Sequence, residues 1–312
     1  ALVQLGSPAG AFIGATLAGI IAASHDWRTA FVAFAIPGFL VAALLAWIVA
    51  EPARGQSDET GVPASDEVPS FGEFLRTVRQ SSSLRWVIAG GSLAGFGMTS
   101  ISQFLAVYLA RAFDLNVRDA ATSFGAISGI ALSIGLLMGS FGTDFLARRD
   151  PRWSAWGAAL GLSLTPPIYW LAFNAPSLNV AFPLLLVAGA MLLVFYGPTT
   201  GLIQNLLPGR MRASGVALFA LLYTLIGSGL GPVFVGGMSD LFAANSFGGD
   251  YGSACPKGLP PQGAAAAVIE ACQNASAYGI KAALSLAISV MFLAALCFIR
   301  AAPGLRTGQT RA

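Results

Sequence analysis

VAFPLLLVAGAMLLVFYGPTTGLIQNL, residues 180–206, contains no charged side chain. As a helix it would reach about 40 Å, more than the roughly 30 Å of hydrocarbon in a bilayer. A backbone placed in hydrocarbon has to satisfy its own N–H and C=O groups, and a helix does so within one segment. The stretch therefore reads as a membrane-spanning helix. Similar apolar runs at about 4–23, 29–50, 86–110, 119–142, 154–174, 213–241 and 277–300 bring the number of predicted spans to eight.

The composition agrees with this reading. Of 312 residues, 55% are hydrophobic and 10% charged, whereas soluble domains carry roughly a quarter charged residues. Barrel strands would show alternating segments of about ten residues, but these runs are continuous and rich in Ala, Leu and Gly. The fold class is therefore an all-α polytopic membrane protein, with the lipid bilayer as its first partner. The net charge is +3, and the arginines and lysines are scattered over short loops, which gives no support to nucleic-acid binding. Residue 1 is Ala, and an apolar run begins almost at once without an initiator Met or a basic flank, so the chain is expected to start inside a longer protein.

Basic residues set the expected sidedness. Twelve of them (Arg54, Arg76, Arg79, Arg85, Arg148, Arg149, Arg152, Arg210, Arg212, Arg300, Arg306 and Arg311) fall on one set of alternate loops, and Arg28, Arg111, Arg118 and Lys257 on the other. The rich side is expected to be cytoplasmic, with both ends of this chain on it. The connection 51–85 starts Glu51-Pro52 and is polar through Asp58, Glu59, Asp66 and Glu67, a linker composition. Near its end Ser70-Phe71-Gly72-Glu73 has capping-box spacing, and Phe71, Phe74, Leu75 and Val78 follow at helical spacing. This predicts a short amphipathic helix, lying either on the inner membrane surface or against the cytoplasmic face of the bundle.

Gly6-Ser7-Pro8-Ala9-Gly10 in the first span and Gly227-Ser228-Gly229-Leu230-Gly231 in the seventh share a Gly-Ser-x-x-Gly start six spans apart, as two parallel six-helix repeats would give. After the fourth span comes Gly139-Ser140-Phe141-Gly142-Thr143-Asp144-Phe145-Leu146-Ala147-Arg148-Arg149. This resembles the Gly…Asp…Arg-Arg loop of the major facilitator superfamily. Trp27-Arg28-x-x-Phe31 with Pro37-Gly38, Glu51-Pro52-x-Arg54-Gly55, Gly197-Pro198 with Gln204 and Pro208, Arg212-Ala213-Ser214-Gly215, and Gly231-Pro232 with Ser239-Asp240 narrow the resemblance to its spinster-like branch. The resemblance implies that the eight spans correspond to helices five to twelve of twelve. Residues 1–50 would then be the last two helices of an incomplete N-terminal bundle, 51–85 the cytoplasmic linker, 86–300 a complete six-helix bundle and 301–312 a cytoplasmic tail. It also implies a bacterial inner-membrane secondary transporter that moves a lipid-like or amphiphilic small molecule by alternating access. The alternatives are a carrier of small organic anions or drugs, and a scaffold or sensor that kept the fold without transport.

Little else suggests chemistry. His25 is the single histidine, and no nucleophile–base pair or phosphate-cradling loop is legible. No catalytic residue, cofactor or metal is expected. The carboxylates lie in loops or near span ends, so proton coupling is expected to reside in residues missing from this chain. The mid-span polar residues Ser100, Gln103, Tyr196, Thr200 and Tyr223 are the candidate substrate site. Asp144, Arg148 and Arg149, with Gly197 and Pro198 where a proline should bend the sixth span, are the candidate gate. Cys255 and Cys272 stand 17 positions apart in the 242–276 loop, on the side expected to be oxidising, and a disulfide is predicted between them.

Overall fold

The computed structural model describes residues 27–48, 69–258 and 264–308, together with Gly10, Gly14, Leu17 and Ile21. Two compact units divide the chain, Leu2–Ser70 and Phe71–Ala312. In the first, α1 (Trp27–Ile48) is long and apolar enough to cross a membrane and exposes Phe31, Ile36, Phe39, Leu40 and Trp47. Apolar side chains all round a helix suit lipid or neighbouring helices. His25 and the polar stretch 51–68 lie outside the described residues, as does most of the first predicted span.

The second unit opens with α2 (Phe71–Gln80), which buries Phe74 against the bundle. Glu73 is paired with Arg210 at 2.8 Å. Of the two placements open from sequence, the structure therefore shows contact with the bundle. Six crossings follow. The first is α3 (Ser82–Ala112), begun by the Ser81 side chain accepting from the Leu84 amide. The second is α4 (Val117–Leu137), capped by Asn116 and continued by a π turn at Met138–Gly142 into α5 (Thr143–Ala147). Next come α6 (Trp153–Phe173) and the interrupted crossing α7 (Leu178–Leu193) with α8 (Tyr196–Asn205). The fifth is α9 (Arg212–Tyr223), a π segment Thr224–Leu230 and α10 (Gly231–Phe247). A short α11 (Tyr251–Ala254) precedes the last crossing, α12 (Ala266–Gly308). With 21 residues α6 spans about 31 Å, enough for hydrocarbon. Among the described residues there is no strand.

The core is organised around α12, which packs on α3, α10 and α6, while α7 packs on both α4 and α6. Leu284, Ile288, Met291, Ala295, Phe298, Ala302 and Leu305 recur every three or four residues and are all buried, so a single face of α12 carries the contact. Lipid tails are as apolar as Leu, so close van der Waals fit holds these helices together more than any escape from water. That accounts for the many buried alanines: Ala158, Ala172, Ala181, Ala188, Ala283, Ala287 and Ala294 are all fully inaccessible.

The ends of this helix depart from the sequence reading. A span at 277–300 with a tail beyond it underestimates α12 in both directions. Its first turns come from an Ala-rich stretch with high helix propensity. At the other end Ala301, Ala302 and Leu305 belong to the main core, and the Ser83 hydroxyl donates to the Ala301 carbonyl at 2.9 Å. The 242–276 connection is likewise mostly helical. Asp250 caps α11, and hydrogen bonds from Ser253 hold its carboxyl below the usual range.

Cys255 and Cys272 are joined in a disulfide with Cα atoms 5.7 Å apart, in a small second core with Ala243, Tyr251 and Ala275. Closing a loop of this length removes enough unfolded-state entropy to stabilise by about 3 kcal/mol. Cys272→Ser is expected to lower the unfolding temperature of the purified protein, and added reductant should then shift the parent but not the variant. Equal melting of parent and variant would show that the bridge contributes nothing.

Candidate functional site

The polar and aromatic groups of α3, α8 and α9 meet about halfway along the bundle. Tyr223, the last residue of α9, lays its ring on α3 at Gly95. A Cβ on Gly95 would lie 2.6 Å from that ring, so only glycine leaves the slot. Phe219, one turn earlier, covers Gly91 in the same way. The Tyr223 hydroxyl points along α3 to the Met98 Sδ at 3.0 Å, a weak acceptor. The Tyr223 ring centroid is 6.3 Å from that of Tyr196 and 5.7 Å from that of Phe219, both in edge-on arrangements. Phe195, fully buried, stacks edge-on behind Tyr196.

Most hydroxyls here are satisfied by their own helices. Thr200 donates to the Gly197 carbonyl at 2.9 Å, Thr199 to Phe195 at 2.6 Å and Thr99 to Gly95 at 2.9 Å. By contrast, the Tyr196 hydroxyl and the Gln103 amide have no hydrogen-bond partner among the described residues, and Gln103 is exposed. Of the five sequence candidates, Tyr196 and Tyr223 are brought together, Thr200 lies one turn beyond Tyr196 with its hydroxyl bonded back to α8, and Gln103 is exposed on α3. Ser100 is elsewhere. It is fully buried, donates to the Phe96 carbonyl at 2.7 Å, and packs on Gly231 in the seam between α3 and α10. Spacing alone puts Ser100 and Gln103 on one side of the helix, but the small hydroxyl bonds back to its own turn and fits a helix contact where the long amide cannot. Met98 was missed from sequence because nothing distinguishes it from an ordinary core residue.

A second constellation joins α4 to the broken crossing. Helical hydrogen bonding lapses at Val194 and Phe195, between α7 and α8, although both keep right-handed helical dihedrals. Pro198 has no N–H to offer the Val194 carbonyl four residues back. That carbonyl instead lies against Gly139 in the π turn of α4, so closely that a Cβ on Gly139 would collide with it. Gly197 faces Ser140, whose Oγ lies 2.5 Å from where a Cβ would be. The π turn and the break thus form one close-packed joint, in the kind of local irregularity often found at functional sites. Asp144, Arg148 and Arg149 continue from the joint to the solvent end, exposed and without an ion pair among the described residues. Among the described residues no group of His, Cys, Asp or Glu could hold a metal ion.

Fold and site together define a polytopic helical membrane protein with a six-helix bundle and an aromatic, uncharged patch at mid-depth. Residues 1–232 match the model of the Major Facilitator Superfamily, and the chain belongs to that family. It is 28% identical over 224 residues to an MFS-type efflux pump of Mycolicibacterium smegmatis, covering 71% of this chain and 50% of the pump. It is 24% identical over 251 residues to protein spinster homolog 3 of Danio rerio, covering 76% and 49%. The chain spans about half the length of these curated relatives. A bacterial homologue of the human lysosomal transporter Spinster, crystallised inward-facing and unoccupied, superposes with a TM-score of 0.71 at 26% identity. That match covers 98% of this chain and 68% of the homologue. The occupied inward-facing form, at 24% identity and a TM-score of 0.66, shares the fold.

Proposed function

We propose that this chain supplies one complete six-helix bundle and part of its partner to a secondary transporter that moves a lipid-like or amphiphilic molecule by alternating access. The bundle is taken from Ser82 at the start of α3 through the core residues Ala301, Ala302 and Leu305 of α12, with the linker before it. The observation that carries the reading is the patch of Tyr196, Tyr223, Phe219 and Met98. An amphiphile needs apolar area for its tail and a few uncharged hydrogen-bonding groups for its head, and this patch offers both without a formal charge. Tyr196 and Gln103 hold the head, Tyr223 and Thr200 border it, and Ser100 shapes the seam behind. The likeness to spinster proteins supports membrane transport as such.

The joint of Gly197 and Pro198 with the π turn serves as the hinge. Asp144, Arg148 and Arg149 serve as its charged gate, paired in one state and free in the other. The described carboxylates stand in loops or within about two turns of helix ends, so proton coupling is assigned to none of them. No catalytic role is assigned to any residue. The membrane is the bacterial inner membrane with both chain ends cytoplasmic, on the strength of the arginine asymmetry. A second reading, export of small organic anions or drugs, is favoured by the likeness to the mycobacterial efflux pump.

The test uses the full-length protein in liposomes, with a fluorescent lysophospholipid and a drug-like dye offered separately. Lysophospholipid flux that falls at least tenfold in Tyr196→Ala/Tyr223→Ala is the expected result. Dye flux without lipid flux selects the efflux reading. Binding of either probe without flux selects the scaffold or sensor reading.

A further inference from the structure

Helix α2 presents two different faces. Phe74 and the half-buried Val78 pack on the core of the bundle, and Glu73 is engaged with Arg210. The opposite face, Gly72, Leu75, Arg76, Arg79 and Gln80, lines an open groove of about 400 Å³. Between the two faces runs an apolar edge, with Phe71 74% exposed and Leu75 38% exposed. Arg76 and Arg79 are both exposed, and neither has an acidic partner among the described residues. They stand three apart on a helix, where side chains are neighbours, so two guanidinium forks can close on one anion.

The depth of this groove indicates which anion. Two residues after α2 ends, α3 begins its crossing. Trp86 lies in the second turn of α3, with the Arg300 guanidinium of α12 5.4 Å over its ring. A tryptophan stacked with an arginine, one in the second turn of an apolar helix and the other about two turns before the end of its neighbour, marks the headgroup region of a bilayer. The groove therefore sits beside the phosphate layer, and its apolar edge can dip toward the acyl chains while the arginines reach up to phosphate. A free phosphate would use the arginines and leave Phe71 and Leu75 uncovered.

We propose that α2 is a binding site for an acidic phospholipid, with Arg76 and Arg79 holding the headgroup phosphate and Phe71 and Leu75 seated in the bilayer edge. The proposal rests on the membrane fold and is independent of the transport reading. The full-length protein in mixed micelles containing equal phosphatidylglycerol and phosphatidylcholine, with retained lipids counted by native mass spectrometry, tests it. The parent is expected to retain phosphatidylglycerol preferentially. Arg76→Gln/Arg79→Gln should lower its affinity about thirtyfold, the equivalent of about 1 kcal/mol for each basic residue near an anionic surface. These side chains are exposed, so the variant should fold. Arg148→Gln/Arg149→Gln removes equal charge elsewhere and should keep the preference, whereas Phe71→Ser/Leu75→Ser should weaken it. The proposal is overturned if the Arg76 and Arg79 variant binds like the parent, or if the Arg148 and Arg149 variant loses as much. Displacement of all phosphatidylglycerol by excess inorganic phosphate overturns it as well, by making the groove a site for the free ion.

Discussion

Gly139→Val is expected to abolish transport by the full-length protein and to destabilise the bundle by about 3 kcal/mol, at the upper end of what overpacking usually costs. The obstacle at this position is backbone: a Cβ here meets the carbonyl, carbonyl carbon and Cα of Val194. A side chain in the way can change rotamer, but a carbonyl fixed between two helix segments cannot, so α4 and α7 would have to move apart. Doing so opens the contact that holds the freed carbonyl of the proline break. Gly139→Ala should show the same defect in weaker form, and thermal unfolding in detergent alongside flux in liposomes measures both. Parent-like stability and flux in Gly139→Val would mean that the π turn and the break do not move as one joint.

Gly95→Val should separate those two readouts. The added Cβ at this position meets the Tyr223 ring, the movable end of a side chain, so the bundle can absorb the change at about 1 kcal/mol by swinging the ring away. The Tyr223 hydroxyl then leaves Met98, and the ring enters the space beside Tyr196. An apparent KM raised about tenfold or more is expected, with an unfolding temperature close to the parent's. Each tenfold step corresponds to about 1.4 kcal/mol of lost binding, of the order of one aromatic contact with its hydrogen bond. An unchanged KM would exclude the tyrosine patch from the substrate path.

The crossings of the second unit were legible because hydrocarbon demands long runs without charge, and 180–206 meets that demand unambiguously. Their ends were less so. Ser82–Arg85 are polar enough to resemble linker but form the first turn of α3, since Ser81 caps it and Leu84 is fully buried. Neither π segment could be read. One additional residue in a turn has no compositional signature, and the glycines of 227–231 register as a repeat motif, not as an altered helix. Pro198 was readable as a lost helical hydrogen bond because proline acts through its own missing N–H, whereas the residue across that contact, Gly139, acts only through a helix far away in sequence. The same limit explains Ser100: helical spacing gives a direction around the axis but cannot say that Gly231 occupies it. The uncharged character of the patch was visible, and its Met98 member was not.

The helix at the centre of the bundle follows the other five crossings of its unit in the sequence. α3, α6 and α10 all pack on α12, and the clasp from Ser83 to the Ala301 carbonyl joins residues 218 positions apart. Five crossings must therefore wait in the bilayer around an unfilled slot until the ribosome has delivered α12 as well. During that interval the Ala- and Gly-lined surfaces that α12 will cover are open to wrong helix partners and to membrane proteases. Biogenesis of this bundle should accordingly be sensitive to anything that delays or shortens α12, and a chain truncated before Ala301 should be degraded in the membrane despite containing every side chain of the substrate patch.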